Sequence, residues 1–184
     1  DITEQMRGEE EAARARDRFQ RIFDNAASPT FVKNRAGRIV MANRTYRRLH
    51  GIETLDGLTD GDIHDPGHAA LYERNDARVF DTGEPFNGEE TALIDGELRF
   101  FLVSKFLIPD PEDEGDAALC CVATDITEQR RRETEIAQIR ARFEAVFEGS
   151  DALMFLKRRD GVFIAANRRF VEEAGGGPIV GLND

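Results

Sequence analysis

Cysteine is almost absent: Cys120 and Cys121 are the only two in 184 residues, and they are neighbours. Adjacent residues on a strand point to opposite faces, so the pair is not expected to bridge, and no disulfide framework exists. Neither has a nearby histidine or a CxxC spacing, so one of them is expected to act as a small buried hydrophobe. A basic excess is also missing. The 25 Lys and Arg stand against 36 Asp and Glu, a net charge of −11. That balance argues against the basic patch of a nucleic-acid surface. No apolar run approaches the roughly 20 residues needed to span a bilayer, and no signal-peptide pattern opens the sequence. A soluble, cytoplasmic segment with no membrane span is therefore expected. There is no Gly-rich phosphate loop, no nucleophile–base pairing and no metal-ligand cluster. No catalytic residue and no metal site is assigned, and the segment is not expected to be an enzyme. Of the three histidines, His64 and His68 flank Pro66-Gly67 and read as exposed loop residues, while His50 reads as a surface or capping residue.

What is present is a repeat. Asp-Ile-Thr-Glu-Gln occurs at residues 1–5 and again at 125–129. The same shift of 124 lays residues 18–60 on 142–184 without a gap. Phe19, Phe31, Lys33, Gly37, Asn43 and Asp60 meet Phe143, Phe155, Lys157, Gly161, Asn167 and Asp184. Four segments are expected: an N-terminal linker helix over 1–25 that follows a lost upstream unit, a complete domain over 26–125, a coiled-coil-like linker helix over 126–148, and the first part of a second, truncated domain over 149–184. The truncated copy would hold one hairpin and a short helix with an exposed sheet edge. It is expected to be disordered or covered by another chain.

Local patterns supply the elements. Residues 4–24 are rich in Glu, Arg and Ala without proline and read as helix. Two β-rich runs flank Asn34-Arg35-Ala36-Gly37, a hairpin turn. Asn43 caps a short helix that Gly51 ends. Residues 54–67 read as short helical turns and loop, and 68–82 as a longer helix with Leu71, Asn75, Arg78, Val79 and Phe80 on one side. Asp95-Gly96 suits a tight I′ turn between two strands. The second of these, 99–106, is apolar on both faces and reads as a central strand covered on both sides. The acidic run 108–116 reads as a solvated loop tip. Asp125, or Thr127, can cap the next helix, with Glu128 completing a capping box. Beyond it Ile136, Ile139, Phe143 and Val146 recur at three, four and three, an a/d seam that fits a parallel partner helix.

This order resembles the PAS domain family. The likeness is carried by Phe31-Val32-Lys33-Asn34-Arg35-Ala36-Gly37-Arg38-Ile39-Val40-Met41-Ala42-Asn43, by Asp81-Thr82-Gly83-Glu84-Pro85, by Asp95-Gly96 before Arg99-Phe100-Phe101, and by Asp125-Ile126-Thr127-Glu128. The resemblance implies an α+β fold, a five-stranded antiparallel sheet with helices over one face, flanked by long signalling helices. It also implies sensing on behalf of an output such as a histidine kinase of a two-component system or a diguanylate cyclase. The Asn-Cys-Arg motif of light-sensing flavin members is missing from the long helix, and no histidine lies within 71–80 to serve a haem, so neither cofactor is expected and the cofactor stays unknown.

A pocket is expected between the long helix and the sheet, lined by Met41, Leu71, Asn75, Val79, Phe101, Val103 and Cys121. Asn75, polar on an inward face, needs a partner. Asp125, Ile126, Thr127 and Glu128 would couple that pocket to the following helix. One reading is a module that binds a small-molecule ligand and transmits through its flanking helices. The other is a ligand-free dimerisation and relay module, a parallel homodimer through the linker helices.

Overall fold

The computed structural model describes residues 2–55, 57–110 and 116–182. The acidic-loop residues Glu112, Asp113 and Glu114 lie outside them, as do Asp1 and Asp184 of the repeat. The chain divides into two compact units, Asp1–Glu128 and Gln129–Asp184.

In the first unit the turns act as the sequence pattern requires. The Asn34 side chain accepts the Arg38 amide, and Gly37 sits at φ 76°, reversing the chain between β1 (Thr30–Lys33) and β2 (Ile39–Ala42). Asp95 (φ 51°) and Gly96 (φ 78°) both adopt positive φ, the I′ geometry. They join β3 (Phe86–Ile94) to β4 (Glu97–Pro109) in an unbroken register from Phe86↔Lys105 to Ile94↔Glu97. The last strand, β5 (Ala117–Asp125), runs antiparallel between β4 and β1. The order is β2-β1-β5-β4-β3, the five-stranded antiparallel sheet that the resemblance implies.

Helix α1 (Ile2–Asn25) precedes the sheet; α2 (Arg44–Leu49), α3 (Asp60–Ile63) and α4 (Pro66–Thr82) lie between β2 and β3 in the chain. Asn43, fully buried, caps α2: its Oδ1 accepts from the amides of Tyr46 (2.9 Å) and Thr30 (3.1 Å), and its Nδ2 donates to Ser28 O (2.9 Å). Helix α4 starts at Pro66, two residues before the expected point. A proline at the first helical position gives up an N–H that has no partner there anyway, and Asp65 accepts from the Gly67 and His68 amides.

Two expectations about faces are corrected. The inward stripe of α4 is Ala69, Tyr72, Asp76 and Val79; of the expected side, Val79 lies on it and Phe80 packs against the core, while Leu71, Asn75 and Arg78 lie off it. Strand β4 is not covered on both faces: Phe101, Val103 and Lys105 are buried while Leu102 is 51% exposed. The third strand of the five is β5. Its Cys121 faces the core at 1% exposure and Cys120 faces away, so one cysteine is the small buried hydrophobe expected.

At the end of β5 the Asp125 carboxylate accepts the Thr127 amide, where α5 (Thr127–Gly149) begins. Thr127 Oγ1 accepts the Phe100 amide (3.0 Å), and the Ile126 amide donates to Phe100 O (2.9 Å). The first turn of α5 is thus fastened to β4 on both sides of Phe100.

The second unit holds most of α5, then β6 (Phe155–Lys157), β7 (Phe163–Ala166) and α6 (Arg168–Glu173). Its hydrogen bonds repeat those of the first. Asn167 is fully buried, accepts from Met154 and Phe170 amides, and donates to Ala152 O. Glu148 accepts the Arg168 amide as Asp24 accepts that of Arg44. Phe163 N bonds Leu182 O as Ile39 N bonds Leu58 O. The expectation that this copy is disordered is therefore corrected. Its buried cap is satisfied within the hairpin, and the rings of Phe155, Phe163 and Phe170 pack on one another at 4.9–5.6 Å. Strands β6 and β7 pair only with each other among the described residues, which leaves Phe155 and Leu156 each 47% exposed.

Candidate functional site: a cavity between sheet and short helices

Alternation on the strands sends every second side chain to the helix-covered face. From β1 that places Phe31 and Lys33 there, from β5 Cys121 and Ala123, from β4 Phe101, Val103 and Lys105, and from β3 Glu90 and Ala92. Facing them are Tyr46 and Leu49 of α2, His50 at its C-cap, Asp60 and His64 bounding α3, and Tyr72 of α4. Between the two sets lies a cavity of about 50 Å³.

One part of its lining is a buried chain of charges. Lys33 and Lys105 are each 1% exposed. Lys33 Nζ donates to Asp60 and to Asp76 Oδ2 (2.7 Å); Lys105 Nζ donates to Asp76 Oδ1 (2.8 Å) and Glu90 Oε1 (2.7 Å). Asn75 Nδ2 closes the chain on Glu90 Oε1 at 2.8 Å. Burial raises the Asp60 carboxyl above its ordinary value, against the pull of Lys33. Burial works against the Lys105 charge, but Asp76 and Glu90 outweigh it and hold Lys105 above the usual lysine value. Such a network tolerates burial because each charge has partners, and removing one member strands the rest.

The other part is a ladder of rings. Centroids lie 4.6 Å apart for Tyr46–His50, 4.9 Å for His50–His64 and 4.9 Å for His64–Tyr72. With His68 at 6.2 Å from Tyr72, the ladder gathers all three histidines and both tyrosines of the chain. His68 is tied to Asp65 and, through Nε2, to Thr91 Oγ1 at 3.1 Å; Tyr72 Oη donates to Thr91 O. Burial, with His64 beside it, pushes His50 down to about 4. Burial, with Lys33 next in effect, pushes His64 down to about 4 as well. Both rings are therefore neutral near pH 7. Tyr46 is 3% exposed, lies on the cavity, and its hydroxyl has no hydrogen-bond partner among the described residues. A buried hydroxyl without a protein partner is a group that a bound molecule can satisfy.

The expected pocket residues divide. Phe101, Val103 and Cys121 line the cavity. Met41 does not: it pairs with Val32, so it lies on the opposite sheet face from Phe31 and Lys33. Val79 is fully buried in the solid core. Leu71 and Asn75 sit beside the inward stripe of α4, half-buried; Asn75 does have the partner it required, Glu90. His50 is the C-cap of α2, one of the two roles expected of it, and it also borders the cavity; the placement of His64 as an exposed loop residue is corrected, since it borders the cavity as well. The lysines, Asp60, Glu90 and the tyrosines escape sequence reading. One available signal was lysine on the inward phase of an apolar alternation, Phe31–Lys33 and Phe101–Val103–Lys105. Ile136, Ile139, Phe143 and Val146 all lie on the open side of α5, each more than half exposed; Phe147 is the buried aromatic there.

Among family models, residues 23–131 match one described as the PAS fold and residues 141–178 one described as the PAS domain. Comparison with curated protein sequences finds no match. Several solved structures share the fold. The PAS domain of an HTR-like protein from Haloarcula marismortui is 18% identical, with a TM-score of 0.54 over 66% of this chain and 99% of that one. The Vibrio cholerae VqmA dimer is 21% identical, with 0.51 over 59% and 50%. The phage VqmA–DPO complex is 21% identical, with 0.51 over 76% and 63%. The chain matches about half the length of the Vibrio cholerae VqmA chains. At these identities the likeness is one of fold. The expectation that nucleic acid is foreign to such a chain is corrected by VqmA, a receptor solved with and without its target DNA. The acidic balance describes this segment's surface and does not limit what its fold serves. No helix among the described residues is long and apolar enough to cross a membrane. With more than half of its residues matched by the PAS fold model, and the sheet order and hairpin-to-helix joints described above, the chain belongs to the PAS domain family.

Proposed function

We propose that the first unit is the sensory module of a multidomain signalling protein, one whose output is a histidine kinase or a cyclic-dinucleotide enzyme. It binds a small molecule in the cavity between sheet and short helices and passes the change to its flanking helices. The observation that carries this reading is the Tyr46 hydroxyl, buried without a partner among the described residues at the edge of an open volume. A cleft filled by its own side chains would have offered a ligand nothing. Support for transmission comes from chain distance: Phe101, Cys121 and Ala123 border the cavity, and Phe100 and Asp125 hold the start of α5. The likeness in fold to the phage VqmA–DPO complex agrees with a binding role. Binding, not turnover, is assigned to this chain.

Native mass spectrometry of the purified protein tests it. The expected result is an adduct of small-molecule mass, absent from Ala123→Met, in which the cavity is filled from β5. The bare chain mass alone, together with no stabilisation by any member of a small-molecule library, would sink the reading.

A further inference from the structure

The cavity's chemistry is one-sided, and this narrows its occupant. Two ammonium groups face three carboxylates in the buried chain, leaving one negative charge in excess. Both lysines are already committed to carboxylates, so neither offers a free cation to a ligand. Asp60 and Glu90, 4% and 7% exposed, border the open volume directly. The tyrosine oxygen at Tyr46 has no partner among the described residues. The ring ladder adds aromatic faces, whose quadrupoles favour positive charge. His50 and His64, neutral near pH 7, contribute no compensating charge and each keep one acceptor nitrogen. Buried Cys121 stays a thiol, because burial pushes it up.

We infer that the cavity selects a small organic monocation, a protonated amine, whose N–H groups meet Tyr46 Oη and the Asp60–Glu90 side while its hydrocarbon rests on Phe31, Phe101 and Val103. This rests on the ligand-binding reading above and specifies the ligand's charge. An anion would raise the buried excess from one negative charge to two, at low dielectric, and is excluded. A neutral molecule of equal shape would leave the excess where it is.

Isobutylamine, isobutanol and isobutyrate, matched in size and differing in charge, are the probes. Binding is measured by thermal shift and calorimetric titration at constant ionic strength and pH 7. The amine is expected to bind at least tenfold more tightly than the alcohol, with isobutyrate without effect. Glu90→Gln keeps acceptors for Lys105 and Asn75 but balances the charges, so it should abolish the amine's advantage while sparing the alcohol. Tyr46→Phe, which removes only the unpartnered hydroxyl, should weaken the amine severalfold. Equal or tighter binding of isobutanol or isobutyrate, an unchanged preference in Glu90→Gln, or no binding by any probe would overturn the inference. A co-purified neutral or anionic molecule in the mass spectrum would overturn it and leave the ligand-binding reading standing; the bare mass, together with no stabilisation by any probe or library member, would remove both.

Discussion

Asn43 and Asn167 show how much one side chain holds. Each is fully buried, and each closes a hairpin, caps a short helix and ties down the preceding loop. Asn43→Ala removes a cap and strands two amides and a carbonyl, at a cost of about 2–4 kcal/mol. Urea unfolding should show the midpoint fall without a change in slope. Lys105 differs in kind. Lys105→Met would leave Asp76 and Glu90 without their shared cation in the core, costing about 3–5 kcal/mol in the same measurement. Arg140, paired with Glu144 on the open side of α5, is the control. Arg140→Ala should leave the midpoint unchanged, because a solvated i,i+4 pair holds little.

At the scale of elements, α4 explains why an amphipathic reading found Val79 and Phe80 but missed the polar half of the inward stripe. Tyr72 and Asp76 look like solvent residues in sequence, yet they face inward because Thr91 O, Lys33 and Lys105 await them. The joint at the start of α5 is the other informative element. Thr127→Val keeps the shape of the side chain but leaves the Phe100 amide without its acceptor. Hydrogen exchange at Phe100 should accelerate by roughly tenfold, the equivalent of about 1.4 kcal/mol, while the far end of β4 keeps its protection. Unchanged exchange at Phe100 would remove Thr127 from the coupling path.

At the scale of the whole molecule, stability should depend on pH through the ring ladder. His50 and His64 stand at about 4 when folded against an ordinary 6.5. The unfolded chain therefore binds more protons between these values, and stability rises with pH across that window. It is fully present above 6.5 and is lost as pH falls toward 4, by about 1–3 kcal/mol per ring after allowance for partial solvent access. Asp60, raised by burial against the pull of Lys33, works in the opposite sense from a lower ordinary value of 3.8. Urea midpoints between about pH 4.5 and 7.5 should trace the loss, and His50→Gln with His64→Gln should flatten it. The division into two units gives a second prediction. Calorimetry should resolve two transitions, with Asn43→Ala lowering one and Asn167→Ala the other; a single transition moved by both would contradict independent folding.

The amino-acid sequence by itself determined what is local. Gly37 and Asp95-Gly96 set the turns, Asn43 set the cap, proline and glycine bounded α4, and the shift of 124 disclosed a repeat whose hydrogen bonds recur pair by pair. The turns, the cap and the helix ends each depend on residues within a few positions of one another, and the repeat needs only a comparison of the chain with itself, so composition and spacing carry them. The site was legible only where it is apolar and strand-borne, at Phe101, Val103 and Cys121. Its polar half was decided by the tertiary structure: Lys33 meets Asp76 across 43 positions, Lys105 meets Asp76 across 29, and His50 meets His64 across a helix and a loop. A buried charge is stable only beside its partner. Nothing in a lysine or an aspartate taken alone says that the partner will be there, and that knowledge begins with the folding of β1, β4 and α4 onto one another.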